Sequence, residues 1–144
     1  MVTSNSDLTR KWFDEVWNRD NEGAITELMA PDVVGHGLGP DFKGVETFQA
    51  FYHQFRSAFD SVQITLDHVI EAGDETAYRG VARLKLKGQP DTHEMPGAGF
   101  IRYRDGLIVE GFNYWDFLGL VTRLGAVSDD LVPKTLAAAA GQGS

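Results

Sequence analysis

The sequence predicts an α+β fold in which helices precede a meander of long antiparallel strands. Apolar residues recur at helical spacing up to about residue 59, and from Ser61 onward they alternate with polar residues. A run of helices followed by a run of strands is typical of the α+β class. At 144 residues the chain is predicted to form a single domain, with a core over about residues 8–125 and a C-terminal extension over residues 126–144 that ends in a frayed tail.

Two short helices are predicted before the first strand. Ser6 can cap the first helix, which ends at the polar run of residues 18–21. Its apolar face consists of residues at helical spacing: Leu8, Trp12, Phe13, Val16 and Trp17. The apolar face of the second helix is shorter: Ala24, Ile25, Leu28 and Met29. This helix must stop before Pro31, because a proline disfavours the helical conformation in the residue that precedes it.

A short strand over residues 32–37 leads into a glycine-rich loop, residues 35–44, which we expect to form a flexible rim. The third helix follows and has the clearest apolar stripe, made of aromatic residues: Phe48, Phe51, Tyr52, Phe55 and Phe59. The stripe suits either a thick core or the wall of a pocket.

Four strands are predicted after this helix. The first two cover residues 62–70 and 76–86 and are joined by a turn at Gly73-Asp74. The third covers about residues 93–104 and is expected to be interrupted at residues 96–99, because proline within a strand indicates an edge or a bulge. Asp105-Gly106 is a strong signal for a two-residue hairpin turn into the last strand.

Composition excludes several classes of function. The net charge of −8 and the scattered distribution of the 13 basic residues argue against a nucleic-acid partner. The absence of cysteine excludes disulfides and thiolate chemistry. No apolar run approaches the ~18 residues of a membrane span, and the polar N-terminus lacks a signal pattern, so we expect no membrane association and a cytoplasmic location.

The stretch of residues 106–120 is predicted to form the functional wall of the protein. Two polar side chains, Asn113 and Asp116, interrupt its apolar and aromatic run. Carboxylates are seldom buried without a partner or a purpose, so an acid here points to a small-molecule pocket. Side chains of a regular strand alternate between faces, and Asn113 and Asp116 therefore reach one cavity only at a bulge or at the end of the strand.

Three segments resemble the SnoaL-like polyketide cyclase group, whose fold is the cone-shaped nuclear-transport-factor-2-like (NTF2-like) fold. The first runs from Trp17-Asn18 through residues 29–34 to His36, and the second covers residues 103–110. The third, residues 115–125, is close to the family's Asp-x-Leu-Gly-Leu-x-x-Gln-Leu-Gly ending. The resemblance covers about residues 8–125 and implies an NTF2-like fold with N-terminal helices packed in a curved antiparallel sheet.

The same resemblance implies a function. It indicates a cofactor-independent enzyme of secondary metabolism that uses an acid–base carboxylate for an intramolecular aldol cyclisation or a related isomerisation. The implied substrate is a small hydrophobic, oxygenated molecule, polyketide-like or terpenoid. It also implies a homodimer, since the convex sheet face of this fold commonly pairs subunits. Two alternatives stay open on the same fold: an enzyme that opens or hydrates epoxides, and a non-catalytic small-molecule-binding module.

The identity of the acid is ambiguous in this sequence. The catalytic Asp of the cyclases most nearly matches position 113, where this sequence has Asn, and an amide cannot act as a general base at neutral pH. Gly97 and Gly99 stand where polar partners of that acid are expected on the adjacent strand. Asp116, the nearest carboxylate, either transfers the proton or caps the final helix. Glu110 is interpreted as an ordinary exposed strand residue or as the salt-bridge partner of a neighbouring arginine, in preference to a catalytic role.

The candidate catalytic residues are therefore Asp116 as proton shuttle, with Asn113 and His36 orienting the substrate. The candidate substrate-binding residues are aromatic: Trp12, Trp17, Tyr52, Phe55, Tyr78, Tyr103 and Trp115. Each of these could belong to the core instead, although their density favours a flat aromatic or polycyclic ligand. The four histidines show no metal-binding spacing, so no metal site is expected.

Overall fold

The computed structural model describes residues 3–141 and confirms the α+β class, with helices packed against a curved six-stranded sheet. The helices are α1 (Asn5–Lys11), α2 (Gly23–Leu28), α3 (Val45–Arg56), α4 (Phe117–Arg123) and α5 (Leu131–Gly141). The strands are β1 (Met29–His36), β2 (Phe42–Lys43), β3 (Phe59–Ala72), β4 (Glu75–Leu86), β5 (Thr92–Arg104) and β6 (Leu107–Trp115). None of the helices within residues 3–141 has the length and apolar character that crossing a bilayer requires.

The sheet order is β2-β1-β6-β5-β4-β3. From β3 to β6 the strands form the expected antiparallel meander. The first strand departs from this pattern, because β1 runs parallel to β6 and brings Gly35 opposite Gly111 and His36 opposite Phe112. Residues that are distant in sequence therefore meet at the middle of the sheet, next to the predicted functional strand.

The first helix begins earlier than predicted. Ser4, not Ser6, is its cap, and the Ser4 hydroxyl accepts a hydrogen bond from the Asp7 N–H at 3.1 Å. Ser6 instead donates to the Glu71 carboxylate through its N–H at 2.7 Å and through its hydroxyl at 3.0 Å. After Lys11 the chain continues as a π-helical segment, Trp12–Asn18, whose four apolar residues are buried as expected.

The second helix stops before Pro31 as predicted, at Leu28, and Pro31 lies inside β1. The pairing of β1 with β6 shifts register between Met29 and Val34, so the missing N–H of Pro31 falls where the ladder is already irregular. The third helix ends at Arg56, and Phe59 opens β3 instead of extending the helical stripe.

The predicted interruption of the third long strand is wrong, because β5 passes without a break through Pro96. Pro96 lies beyond Trp115, the last residue of β6 that pairs with β5, and its carbonyl accepts a hydrogen bond from the Asp116 N–H at 3.0 Å. A proline at this place therefore removes no hydrogen bond of the ladder. The predicted C-terminal extension contains α5, which has no buried residue; residues 142–144 lie outside the described part of the chain.

Candidate functional site

A cavity of about 80 Å³ lies between the concave face of the sheet and the N-terminal helices. Its walls come from the π-helical segment, α3, and strands β1 and β3–β6, and they are almost entirely aromatic and aliphatic. Five of the seven expected substrate-binding aromatics line it: Trp12, Trp17, Phe55, Tyr78 and Trp115. Their role in binding stays a prediction. An apolar, aromatic-lined concavity with a few polar atoms is the usual form of a small-molecule site.

The polar atoms of the cavity form one connected chain. The Trp115 indole N–H donates to the Tyr78 hydroxyl at 3.3 Å, and Tyr78 donates to the Asn113 side-chain oxygen at 3.2 Å. The Asn113 amide nitrogen donates in turn to the backbone carbonyl of His36 at 2.9 Å. The last bond fixes which end of the Asn113 amide faces Tyr78, so the cavity presents a phenol donor beside an amide acceptor.

Tyr78 is a hydrogen-bond donor at every ordinary pH. It is 3% exposed, and burial raises the pKa of its phenol above the usual value of 10.0 because the charged phenolate loses hydration. Among residues 3–141, the side chains lining the cavity include no carboxylate and no imidazole. The interior can therefore polarise an oxygen atom, but it offers no ordinary base.

The glycines at positions 97 and 99 make room for this arrangement. A Cβ at Gly97 would lie 2.2 Å from the Trp115 ring, and a Cβ at Gly99 would lie 2.4 Å from the Tyr78 hydroxyl. The polar side chains expected on this strand from the resemblance are therefore replaced in space by rings from β4 and β6. The polar side chains at this end of the cavity are therefore contributed by β4 and β6.

Asp116 does not fit the role of proton shuttle. Its side chain is exposed, and its Oδ1 accepts a hydrogen bond from the Gly119 N–H at 2.9 Å, which caps α4. The alternation of β6 explains this: Gly111, Asn113 and Trp115 line the cavity, and Asp116 instead borders a shallow outer depression with Tyr114. Of the two roles open to Asp116 from the sequence, the structure favours the helix cap.

The His36 side chain also lies outside the cavity, so its expected role in orienting a substrate there does not fit. Its ring stacks on Phe112 at 4.6 Å between centroids, on the face opposite Asn113. Its Nε2 lies 2.8 Å from Glu110, and its Nδ1 lies 3.1 Å from Asp41. Arg102 contacts the other oxygen of Glu110 at 2.7 Å, which agrees with the salt-bridge interpretation of Glu110.

This outer network shifts two pKa values in opposite directions. The hydrogen bond that the Glu110 carboxylate accepts from the His36 ring is the main cause that raises the pKa of His36 above 6.5. Arg102 first, and His36 second, hold the pKa of Glu110 below its usual value. A histidine whose two ring nitrogens each face a carboxylate donates to both only when protonated.

Two expected substrate-binding tyrosines belong to the core instead. The Tyr52 hydroxyl donates to the Val16 carbonyl at 2.8 Å and also contacts the Asp20 carboxylate. The Tyr103 hydroxyl bonds to that of Thr9 at 2.7 Å, and burial raises the pKa of Tyr103 to about 12. Neither tyrosine lines the cavity. Both tie helical segments to neighbouring elements, and the sequence offered no signal that separates them from Tyr78.

Part of the cavity wall was not singled out in the sequence. Leu38 and Phe42, from the glycine-rich rim, both line it. The Phe42 ring lies over Gly35, where a Cβ would approach it to 2.0 Å, so glycine at position 35 is what admits this ring. The rim segment is bounded by Gly37 and Gly44, both at positive φ, a conformation that favours glycine.

The comparisons with known proteins agree with the fold. A family model described as a SnoaL-like domain matches residues 9–111. No curated protein is significantly similar to the chain. Among solved structures, IdmH, a candidate polyketide cyclase from Streptomyces antibioticus, is 25% identical, with 85% of this chain and 99% of that chain covered and a TM-score of 0.72.

Two further structures show the same fold at lower identity. A candidate SnoaL-like polyketide cyclase from Jannaschia sp. CCS1 is 18% identical, with 85% of this chain and 95% of that chain covered and a TM-score of 0.73. TsrD from Streptomyces laurentii is 20% identical, with 88% and 100% covered and a TM-score of 0.73. The fold is the NTF2-like fold, and because the family model spans most of the sequence, the chain belongs to the family of SnoaL-like domains.

Proposed function

We propose that this protein binds a hydrophobic, oxygenated, polyketide-like molecule in the cavity and activates it through hydrogen bonds. The observation that carries the proposal is the Trp115–Tyr78–Asn113 chain, the polar part of an otherwise apolar cavity. A ligand oxygen would seat against this chain while its apolar part contacts the aromatic walls. The similarity to the candidate cyclase IdmH supports a polyketide-like ligand class.

The chemistry proposed here is keto–enol conversion, the step that precedes aldol ring closure. The Tyr78 phenol donates to a ligand carbonyl oxygen and stabilises the negative charge that develops there when an α-proton leaves. The α-proton passes to water, and water returns a proton to the oxygen, which gives the enol with no net gain or loss of protons. Because the proton acceptor is solvent, this mechanism needs neither Asp116 nor a cofactor.

The size of the cavity sets the first ligands to test. At about 80 Å³ it is smaller than an engineered cavity of about 150 Å³ that holds benzene, so even a single ring requires its walls to move outward, and single-ring molecules are the smallest aromatic probes to test. Larger substrates require movement of the rim that carries Leu38 and Phe42.

Binding is tested with toluene, followed by protein NMR, in wild type and in Gly111→Leu. A Cβ at Gly111 meets only the Asn113 amide nitrogen, at 3.9 Å, so a leucine there can extend into the cavity. We expect toluene to shift resonances of cavity residues in wild type and not in Gly111→Leu. Ala98→Leu on the outer face serves as the matched control. Identical toluene binding by wild type and Gly111→Leu would contradict cavity binding.

Activation is tested with acetophenone, whose methyl protons exchange with D₂O through the enol. We expect wild type to accelerate this exchange and Tyr78→Phe to lose the acceleration while it still binds acetophenone. The second candidate function is a non-catalytic binding module, which the lack of a base among the described lining side chains favours. That module would bind acetophenone without accelerating exchange.

We also propose that a second copy of the chain covers the outer face of the sheet. Phe100 and Tyr114 on this face are 48% and 62% exposed, and large exposed apolar groups in one area are typical of protein contacts. Sedimentation analysis should give a dimer for wild type and a monomer for Tyr114→Asp. A monomeric wild type would contradict this proposal and leave the cavity unaffected.

A further inference from the structure

The polar end of the cavity contains a donor and an acceptor side by side, and this pair restricts the kind of ligand oxygen that fits. Tyr78 has a single O–H to donate, which bonds to Asn113 in the unliganded protein, and its oxygen accepts from the Trp115 N–H. The Asn113 oxygen can only accept. Its orientation is set by the bond of 2.9 Å from its amide nitrogen to the His36 carbonyl.

The bond between this donor and this acceptor is weak in the unliganded protein. The distance from the Tyr78 hydroxyl to the Asn113 oxygen is 3.2 Å, whereas O–H···O bonds in proteins usually measure about 2.5–3.0 Å. The Trp115–Tyr78 distance of 3.3 Å is also long. A ligand group that bonds to both Tyr78 and Asn113 can therefore replace a poor hydrogen bond with two better ones.

A hydroxyl oxygen satisfies both groups, and a carbonyl oxygen satisfies only one. A hydroxyl accepts from Tyr78 and donates to Asn113. A carbonyl accepts from Tyr78 and leaves the partly buried Asn113 oxygen without a donor, which costs free energy. An ether has the same deficit, and a methyl group at this place leaves both side chains with only their original long bond.

We infer that this site recognises a ring-bound or enolic hydroxyl group, that is, a phenol or the enol form of a ketone, in preference to a ketone or an ether. The inference rests on the proposed function and extends it by naming the ligand group that Tyr78 and Asn113 select. It also explains how an interior without a base favours the enol: the enol makes one hydrogen bond more than the ketone from which it forms. Because the bond to Asn113 forms only once the oxygen carries a proton, it stabilises the enol product and shifts the equilibrium of the bound ligand towards the enol.

The test compares phenol with toluene, which differ by the replacement of a hydroxyl by a methyl group of similar size. Phenol and toluene have different hydration free energies, which affect their dissociation constants equally in every variant. The quantity to compare between protein variants is therefore the ratio of the two dissociation constants. In Asn113→Leu we expect phenol to weaken relative to toluene by about tenfold, the effect of losing a buried hydrogen bond. Tyr78→Phe is expected to act in the same direction. Tyr103→Phe, which alters a buried tyrosine outside the cavity, serves as the matched control and should leave the ratio unchanged.

Benzaldehyde provides the second arm, because its carbonyl accepts but cannot donate. We expect Tyr78→Phe to weaken benzaldehyde, whereas Asn113→Leu should leave it unchanged or strengthen it by removing the unsatisfied acceptor. A phenol-to-toluene ratio that is the same in wild type and Asn113→Leu would overturn this inference. If toluene fails to bind the cavity of wild type, the proposed function itself is contradicted. Failure of the proposed function is thereby distinguished from failure of this inference alone.

Discussion

Removal of the Asp116 side chain should affect stability without affecting chemistry. Asp116 makes one cap bond, from the Gly119 N–H to Oδ1 at 2.9 Å, on an exposed helix of seven residues that buries Leu120 against the rest of the protein. Loss of such a cap costs about 0.5–2 kcal/mol, and the exposure of Asp116 places the expected loss near 1 kcal/mol. For a chain of this size that corresponds to a fall in Tm of about 3–4 °C.

Asp116→Ala and Asp116→Asn separate the cap from a catalytic role. Asparagine caps helices about as well as aspartate, so Asp116→Asn should keep wild-type stability, while Asp116→Ala should lose about 1 kcal/mol in urea unfolding. Both variants should exchange acetophenone protons at the wild-type rate. A general base would instead lose on the order of 10²-fold in Asp116→Asn. Such a loss would refute the conclusion that Asp116 takes no part in the chemistry, and wild-type stability of Asp116→Ala would refute the helix cap.

Three further predictions concern groups outside the cavity. NMR should give a pKa for His36 above 6.5, so the contribution of His36 to the free energy of unfolding is complete below pH 6.5 and is lost as the pH rises through the pKa of the folded state. Glu110→Gln should bring the pKa of His36 back towards 6.5. An unchanged pKa in this variant would contradict the network of His36 and Glu110. Asn18→Ala should cost about 2–3 kcal/mol in urea unfolding, because the Asn18 side chain makes two hydrogen bonds to the backbone of Ile64, at 2.6 and 2.9 Å; wild-type stability would refute this. Thr9→Val should cost about 1–3 kcal/mol, since it leaves two other buried hydroxyls short of a partner, and Thr9→Ser should restore most of the loss; equal stability of both variants would count against the network.

The fold was predictable because its signals are local. The change from helical to alternating spacing near residue 60 marks the junction of α3 and β3 within a few residues. Alternation along β6 also predicted that Asn113 and Trp115 share a face. The register shift opposite Arg102 and Tyr103 lies before these residues, so the bulge does not alter their side of the sheet.

The site was only partly predictable because its remaining contacts depend on long-range pairing. Whether His36 faces the cavity follows from the parallel register of β1 on β6, which no local pattern encodes. The importance of Tyr78 follows from its position beside Asn113, 35 residues further along the chain. Asp116 was open to two roles, and only its neighbour Gly119 on α4 decides between them.

The most direct test of the cavity as functional site is a crystal structure of the complex with phenol. We predict the ring between the aromatic walls, with its oxygen within about 3.2 Å of both the Tyr78 hydroxyl and the Asn113 side-chain oxygen. Phenol bound at the outer depression beside Asp116, with the interior unchanged, would contradict the assignment of the site to the cavity.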